Sequence, residues 1–272
     1  MVKNSIKLVE KGKIKEKIKY FKGKAVTVIS DFDGTLTKKH SESKKFINSI
    51  SVFRHTNFLS QSYQRESNKM FTRYYKIETD SNIKRSLKHK SMIFWWKKEF
   101  RLLNKNKLTQ EIVSKIMDEN YIVLKADFDE FLRTIGKNKL IIFSGGIKNI
   151  IEHLLREYKN SDIDIIANKI NFNEKNFVNE LKLIVATNKD EIYLKEHHPE
   201  VYEKIKDKPI IIIGDNLNDC EIFHNKKNAI RILLSSEGNK KEIQKYKNKV
   251  DFFVKNSDDL KEVIKILNKI IK

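Results

Sequence analysis

Ala25-Val26-Thr27-Val28-Ile29-Ser30-Asp31-Phe32-Asp33-Gly34-Thr35-Leu36-Thr37 is the stretch that decides the fold. Its first half is a short β-branched run, which reads as a strand buried on both faces. Its second half sets two carboxylates, one residue apart, where that strand ends. Four more such runs follow, at residues 140–143, 163–167, 209–213 and 229–233. Helical patterns lie between several of them. Residues 147–158 put Ile147, Ile150, Ile151, Leu154 and Leu155 on one face. Before the second strand, Asp127 reads as an N-cap with Glu130 completing a capping box. Phe128, Phe131, Leu132 and Ile135 form the apolar face of that helix and Gly136 its stop. Residues 258–272 repeat the pattern with Leu260, Val263, Ile264, Leu267, Ile270 and Ile271. Strands alternating with helices predict an α/β fold, a doubly wound parallel sheet.

Residues 37–125 differ. They show no clear strand run and contain an amphipathic helix over 109–120, with Ile112, Val113, Ile116 and Met117 inward. The expected organisation is a core of residues 1–37 and 126–272 with a helical cap, residues 38–125, inserted above the carboxyl end of the first strand, where such sheets bind ligands. The basic segment 1–24 reads as a helix against the core, with Ile6, Leu8, Val9, Ile14, Ile18 and Phe21 apolar.

The 272 residues suffice for a sizeable core. With 39% hydrophobic and 34% charged residues, no apolar run nears the roughly 20 needed to span a bilayer. No membrane partner is expected, and segment 1–24 lacks the apolar stretch of a secretory signal, so a cytoplasmic location is the default. Lys and Arg number 56 against 36 Asp and Glu, a net charge of +20. That surplus is spread over every segment instead of clustered, which argues against a nucleic-acid partner. The lone Cys220 rules out an internal disulfide or multi-cysteine zinc site, and the seven His show no ligand spacing.

The polar residues that end the strands carry the chemistry: Asp31 and Asp33 after the first, Ser144 after the second, Asn168 after the third, Asp215 after the fourth. In a parallel sheet these ends share one edge, so they surround one crevice. Gly214-Asp215-Asn216-Leu217-Asn218-Asp219 adds a further acid. Packed carboxylates resist ionisation unless a cation neutralises them, and hard oxygen donors favour Mg²⁺ over zinc. Magnesium commonly joins one or two carboxylates to a substrate phosphate.

The Asp-x-Asp-x-Thr run after a buried strand resembles the first signature of the haloacid dehalogenase superfamily of phosphatases. The resemblance implies Asp31 as nucleophile and Asp33 as general acid and base. It implies Mg²⁺ on the carboxylates of Asp31 and Asp215 and the backbone carbonyl of Asp33, with Asp219 as a ligand or close beside it. Ser144, Gly145 and Gly146, ahead of a helix, would bind phosphate together with Lys189. Read alone, one Lys among so many is a solvated side chain; the order Asp31, Ser144, Lys189, Asp215 gives it meaning.

The likeness narrows to the cytosolic 5'-nucleotidases specific for pyrimidine or 7-methylguanosine monophosphates. It rests on Ile29-Ser30-Asp31-Phe32-Asp33, Tyr74-Tyr75-Lys76-Ile77-Glu78-Thr79-Asp80, Phe143-Ser144-Gly145-Gly146-Ile147, Asn188-Lys189 and the 214–219 run. Gly34 and residues 40–72 depart from it. The implied activity is Mg²⁺-dependent hydrolysis of nucleoside 5'-monophosphates through an aspartyl phosphate, with no obligatory protein partner. Glu78 would accept from the amino edge of the base, and Trp96, ahead of Trp95, would stack on it. Two rivals remain: another capped phosphatase of the superfamily, such as one for phosphoserine, and a basic nucleic-acid-binding protein on a phosphatase scaffold.

Overall fold

The computed structural model describes residues 6–8, 11–39, 47–80, 82–158, 161–172, 177–179, 183–235, 246 and 249–272. The expected apolar residue Val9 and the early part of the 40–72 stretch lie outside them.

The strands are β1 (Ile6–Leu8), β2 (Thr27–Ser30), β3 (Lys139–Ile147), β4 (Ile163–Asn168), β5 (Ile170–Phe172), β6 (Phe177–Asn179), β7 (Ile210–Gly214), β8 (Ile230–Ser235) and β9 (Phe252–Lys255). The helices are α1 (Lys11–Phe21), α2 (Val52–His55), α3 (Gln61–Thr79), α4 (Arg85–Lys105), α5 (Gln110–Asp118), α6 (Phe128–Ile135), α7 (Lys148–Leu154), α8 (Glu191–His197), α9 (Pro199–Ile205), α10 (Leu217–Cys220) and α11 (Lys261–Ile271).

Seven strands form one sheet in the order β1-β9-β8-β7-β2-β3-β4; β1 is antiparallel to β9 and the other neighbours are parallel. β5 and β6 pair as a separate hairpin. The chain leaves β2 on one side to build β3 and β4, then returns on the other to build β7, β8 and β9. The order therefore reverses at β2, and a ligand crevice belongs outside the carboxyl ends of β2 and β7. In-register pairing of Ser30 with Ile213 and with Ile142 brings Asp31, Gly214 and Phe143 to the same level of that edge.

The apolar strand runs follow from burial on both faces. Val28, Leu140, Ile142, Ile211 and Ile213 face α1, α6 and α11, whose Phe21, Phe131 and Leu267 are fully covered. Ile29, Ile141, Phe143, Ile210 and Ile212 face Tyr193, Leu194 and Ile205 of α8 and α9. Truncating such a Phe to Ala costs about 3–5 kcal/mol.

The described residues of the 38–125 segment carry helices α2 to α5 and no strand. An antiparallel bridge between Thr37 and Leu124 closes its neck. Thr109 caps α5 through its side chain, and Val113, Ile116 and Met117 are buried as the period predicts. Phe53, Tyr63, Phe100 and Leu103 join Ile147 and Ile150 in a core that ties these helices to the sheet's end.

Several expectations change. The segment expected as one helix opens as edge strand β1, because β9 offers backbone groups to pair with; α1 follows, with Ile14 and Phe21 buried. The capping box of Asp127 and Glu130 does not form: Asp127 is left-handed at φ 67° with no side-chain cap bond. Backbone bonds of Ala126 to Asp258 and Leu260 set the entry to α6 instead. Ser144, Gly145 and Gly146 precede a helix as expected, but they do so as the end of β3, with α7 starting at Lys148.

Candidate active site

Asp31 follows β2 directly, anchored by its backbone N–H to the Ile213 carbonyl at 2.9 Å. Lys189, buried ahead of α8, places its Nζ 2.6 Å from Asp31 Oδ1 and 2.5 Å from Asp219 Oδ1. Asp219 also has a local task, since its Oδ2 accepts from the Asn216 N–H in the capping box of α10. Asp215, after β7, pairs with Lys39 at 2.9 Å. Burial pulls the Lys189 ammonium down, but Asp219 and Asp31 outweigh it and hold its pKa above the usual value. Burial pushes Asp215 up, with repulsion from Asp31 added.

Asp31, Asp215 and Asp219 each offer a carboxylate oxygen, all within 4.8 Å of one another. Two ammonium groups meet this cluster in the structure. Oxygen donors crowded this closely, with burial working against their charge, are a set that fits a hard divalent cation.

Asp33 is held by a residue the sequence did not single out. Ser49 donates its backbone N–H to Asp33 Oδ1 at 2.9 Å and its hydroxyl to Oδ2 at 2.5 Å. Burial pushes the Asp33 carboxyl up to about 7, against those two bonds and with repulsion from Asp31. The Ser49 hydroxyl oxygen also accepts the Ile147 N–H, and the Gly146 N–H goes to Ser144 Oγ, so one amide of the Ser-Gly-Gly run and that of the residue after it are spent within the site. A Cβ on Gly146 would lie 2.2 Å from Ser49 Oγ and 2.7 Å from Asp33 Oδ2, which only glycine avoids. Gly34 has φ +76°, and a Cβ there would lie 2.7 Å from Asp215 Oδ2. Asn168, at the end of β4, donates to the Gly145 and Ile184 carbonyls and accepts the Ile184 N–H, bracing the turn.

These groups open into a cavity of about 610 Å³. All eleven expected site residues line it: Asp31, Asp33, Glu78, Trp95, Trp96, Ser144, Gly145, Gly146, Lys189, Asp215 and Asp219. Glu78 stands on the α3 face with Phe71 and Tyr75, spaced so that all three form one stripe. Burial pushes its carboxyl up, with Lys88 opposing. Both tryptophans line the cavity, with different neighbours. Trp95 stacks on Tyr74 at 5.8 Å and lies near Phe71, and its Nε1 is buried without a partner; Trp96 tilts against Phe100 in the helical core. Helix α4 also grips the loop before Lys189: Arg85 donates to the Thr187 carbonyl at 3.1 and 3.2 Å, and His89 contacts the Thr187 hydroxyl.

Ser49, Lys39 and Arg54 escaped the sequence reading because none belongs to a strand-end pattern. Cys220 is buried and free. Among the described residues no helix is long and apolar enough to cross a membrane.

A family model described as pyrimidine 5'-nucleotidase (UMPH-1) matches residues 34–271. The 7-methylguanosine phosphate-specific 5'-nucleotidase of Rattus norvegicus is 25% identical over the whole chain and 94% of its own length. The human protein of that name is 27% identical over 80% of this chain and 76% of its own. Among solved structures, cytosolic 5'-nucleotidase IIIB bound to cytidine superposes with a TM-score of 0.84 at 21% identity, covering 99% of this chain and 94% of that one. A phosphoserine phosphatase shares the fold more loosely, with a TM-score of 0.53 at 18% identity over 92% of this chain and 99% of its own. The chain belongs to the pyrimidine 5'-nucleotidase (UMPH-1) family, phosphoric monoester hydrolases on a haloacid dehalogenase fold.

Proposed function

We propose that this chain hydrolyses nucleoside 5'-monophosphates with a pyrimidine or 7-methylguanine base, using Mg²⁺ and an aspartyl phosphate. The observation that carries the reading is a single cavity lined both by the acids Asp31, Asp33, Asp215 and Asp219 and by Glu78, Trp95 and Trp96. Asp31 attacks phosphorus while Asp33 gives its proton to the departing 5'-oxygen, which leaves as the nucleoside. Asp33, now ionised, takes a proton from water as that water attacks the phosphoryl group on Asp31, releasing phosphate and restoring both acids. A carboxyl raised to about 7 suits both proton transfers near neutral pH. Dividing the hydrolysis into two steps is the gain of a covalent nucleophile.

Lys189 neutralises Asp31 as the dianionic phosphate enters, and Ser144, Gly145 and Gly146 flank that phosphate. Asp31, Asp215 and the Asp33 carbonyl, with Asp219 beside them, would hold Mg²⁺. When bound it supplies positive charge that offsets the carboxylates and the incoming phosphate. Residues 38–125 serve as the cap that selects substrate: Glu78 accepts base N–H groups, and the aromatic wall of Phe71, Tyr75, Trp95 and Trp96 supports the ring. The relatives are named for 7-methylguanosine phosphate and the family for pyrimidines; both base types present N–H groups that a carboxylate can accept. A putative cytosolic 5'-nucleotidase of Caenorhabditis elegans, 30% identical over 56% of this chain, supports a cytoplasmic location.

The test is a panel of CMP, UMP, 7-methylguanosine monophosphate and phosphoserine with Mg²⁺ present. Release of phosphate from the nucleotides by orders of magnitude over phosphoserine supports the reading; phosphoserine as the best substrate overturns it. Steeply salt-dependent duplex binding without Mg²⁺-dependent phosphate release would favour a nucleic-acid-binding scaffold instead.

A further inference from the structure

Arg54 is only 6% exposed, yet it lines the cavity. It sits on α2, with the guanidinium carbon 4.2 Å over the ring of Phe71. Its Nε is buried without a partner, and no hydrogen bond or ion pair from its guanidinium is found among the described residues. The nearby acid Glu99 spends Oε1 on the Tyr63 and Ser67 hydroxyls, 2.7 Å each; its Oε2 is likewise buried without a hydrogen-bond partner, and it favours the Arg54 charge through space without a hydrogen bond. Arginine carries five donors and cannot shed its charge in a protein. A buried guanidinium with no acceptor costs stability unless something else satisfies it. Burial accordingly pulls its pKa down. An unsatisfied cation on a cavity wall points to an acceptor on the ligand.

Its position says which part of the ligand. The phosphate end of the cavity already has Lys189 and Ser144 at the sheet edge. Arg54 instead lies over Phe71, at one end of the stripe that runs through Tyr75 to Glu78. Seven residues of helix separate Phe71 from Glu78, about 10 Å along the axis. A base laid on this stripe with its N–H edge toward Glu78 turns a neighbouring ring substituent toward Arg54. Cytosine, uracil and 7-methylguanine each carry both a keto oxygen and an N–H group on the ring system, whereas adenine has N–H groups but no keto oxygen. Guanidinium groups pair well with such oxygens.

We propose that Arg54 selects bases bearing a keto oxygen, by donating to that oxygen while Glu78 accepts from an N–H group of the same base. The inference rests on the nucleotidase reading above. It makes Arg54 a specificity residue that excludes AMP, and explains why a costly buried charge is kept in the cap.

The experiment follows Mg²⁺-supplemented hydrolysis of p-nitrophenyl phosphate by wild type, Arg54→Met and Arg54→Lys, with CMP or AMP as competitor. In wild type, CMP inhibits far more strongly than AMP. In Arg54→Met the CMP inhibition constant rises about 10- to 100-fold, the loss expected for a charged hydrogen bond. The AMP constant and the aryl phosphate rate stay near their wild-type values, and the melting temperature is unchanged or higher. Arg54→Lys, which keeps charge but not the planar fork, falls between. Equal weakening of CMP and AMP would place Arg54 on the sugar or in a structural role and overturn the proposal, as would an unchanged CMP constant. A lower melting temperature with collapse of aryl phosphate hydrolysis would also overturn it. If wild-type enzyme cleaves aryl phosphate but is blind to CMP, the nucleotidase reading itself falls, and the proposal with it.

Discussion

Ser49 holds Asp33 at both oxygens, by its backbone N–H at 2.9 Å and its hydroxyl at 2.5 Å. The contact ties the segment ahead of α2 to the sheet edge, so the group assigned to proton transfer takes its orientation from Ser49. Ser49→Ala is expected to lower kcat on the order of 10-fold with little change in KM, a fraction of the roughly 10²–10⁴ that positioned proton transfer contributes. Gly146→Ala, whose Cβ would stand 2.2 Å from Ser49 Oγ, should cost more, because it displaces both partners. Steady-state kinetics on one nucleotide check both; a Gly146→Ala enzyme as active as wild type would contradict this geometry.

Glu78 should trade stability for recognition. Burial raises its carboxyl above the ordinary value, so the native state binds a proton more readily than the unfolded chain does. The stability it allows is full below the ordinary Glu value of about 4.3 and is lost as pH rises through the raised native value. Glu78→Gln is therefore expected to raise the melting temperature at pH 8 by on the order of 3 °C, with the difference closing toward pH 4. The same variant should lose nucleotide hydrolysis far more than aryl phosphate hydrolysis. A lower melting temperature at pH 8 would assign Glu78 to the framework.

The crowded acids make a third prediction. Mg²⁺ should stabilise the folded state in proportion to the logarithm of its concentration, by about 2.7 kcal/mol at a hundredfold excess over its dissociation constant, and the melting temperature should rise with it. Asp215→Asn should abolish that shift and raise the metal-free melting temperature, since one of three clustered carboxylates becomes neutral. Calorimetry with and without chelator reads both; equal shifts in wild type and variant would remove Asp215 from the metal set.

The strands were legible because their β-branched runs are buried on both faces, and the site because Asp31, Ser144, Asn168 and Asp215 each end one of them. Short edge elements were not: β1 is three residues and β9 four, and their pairing is a tertiary event with no local period. Asp127 and Glu130 spell a capping box that the Ala126 bridge overrides. Ser49 and Arg54 lie in a stretch without a recognisable pattern, and their roles depend on Asp33 and Phe71, which are distant in sequence. A side chain that acts on a neighbour across the fold leaves no local trace.

The central claim is that Asp31 carries the phosphoryl group. Acid quenching of the Mg²⁺ enzyme within one turnover of ³²P-labelled CMP, followed by peptide mapping, tests it most directly. Label that is labile to hydroxylamine and sits on the peptide containing Asp31, and is absent from a folded, inactive Asp31→Asn variant, is the predicted result. Substantial turnover by Asp31→Asn, or label at another residue, would contradict it.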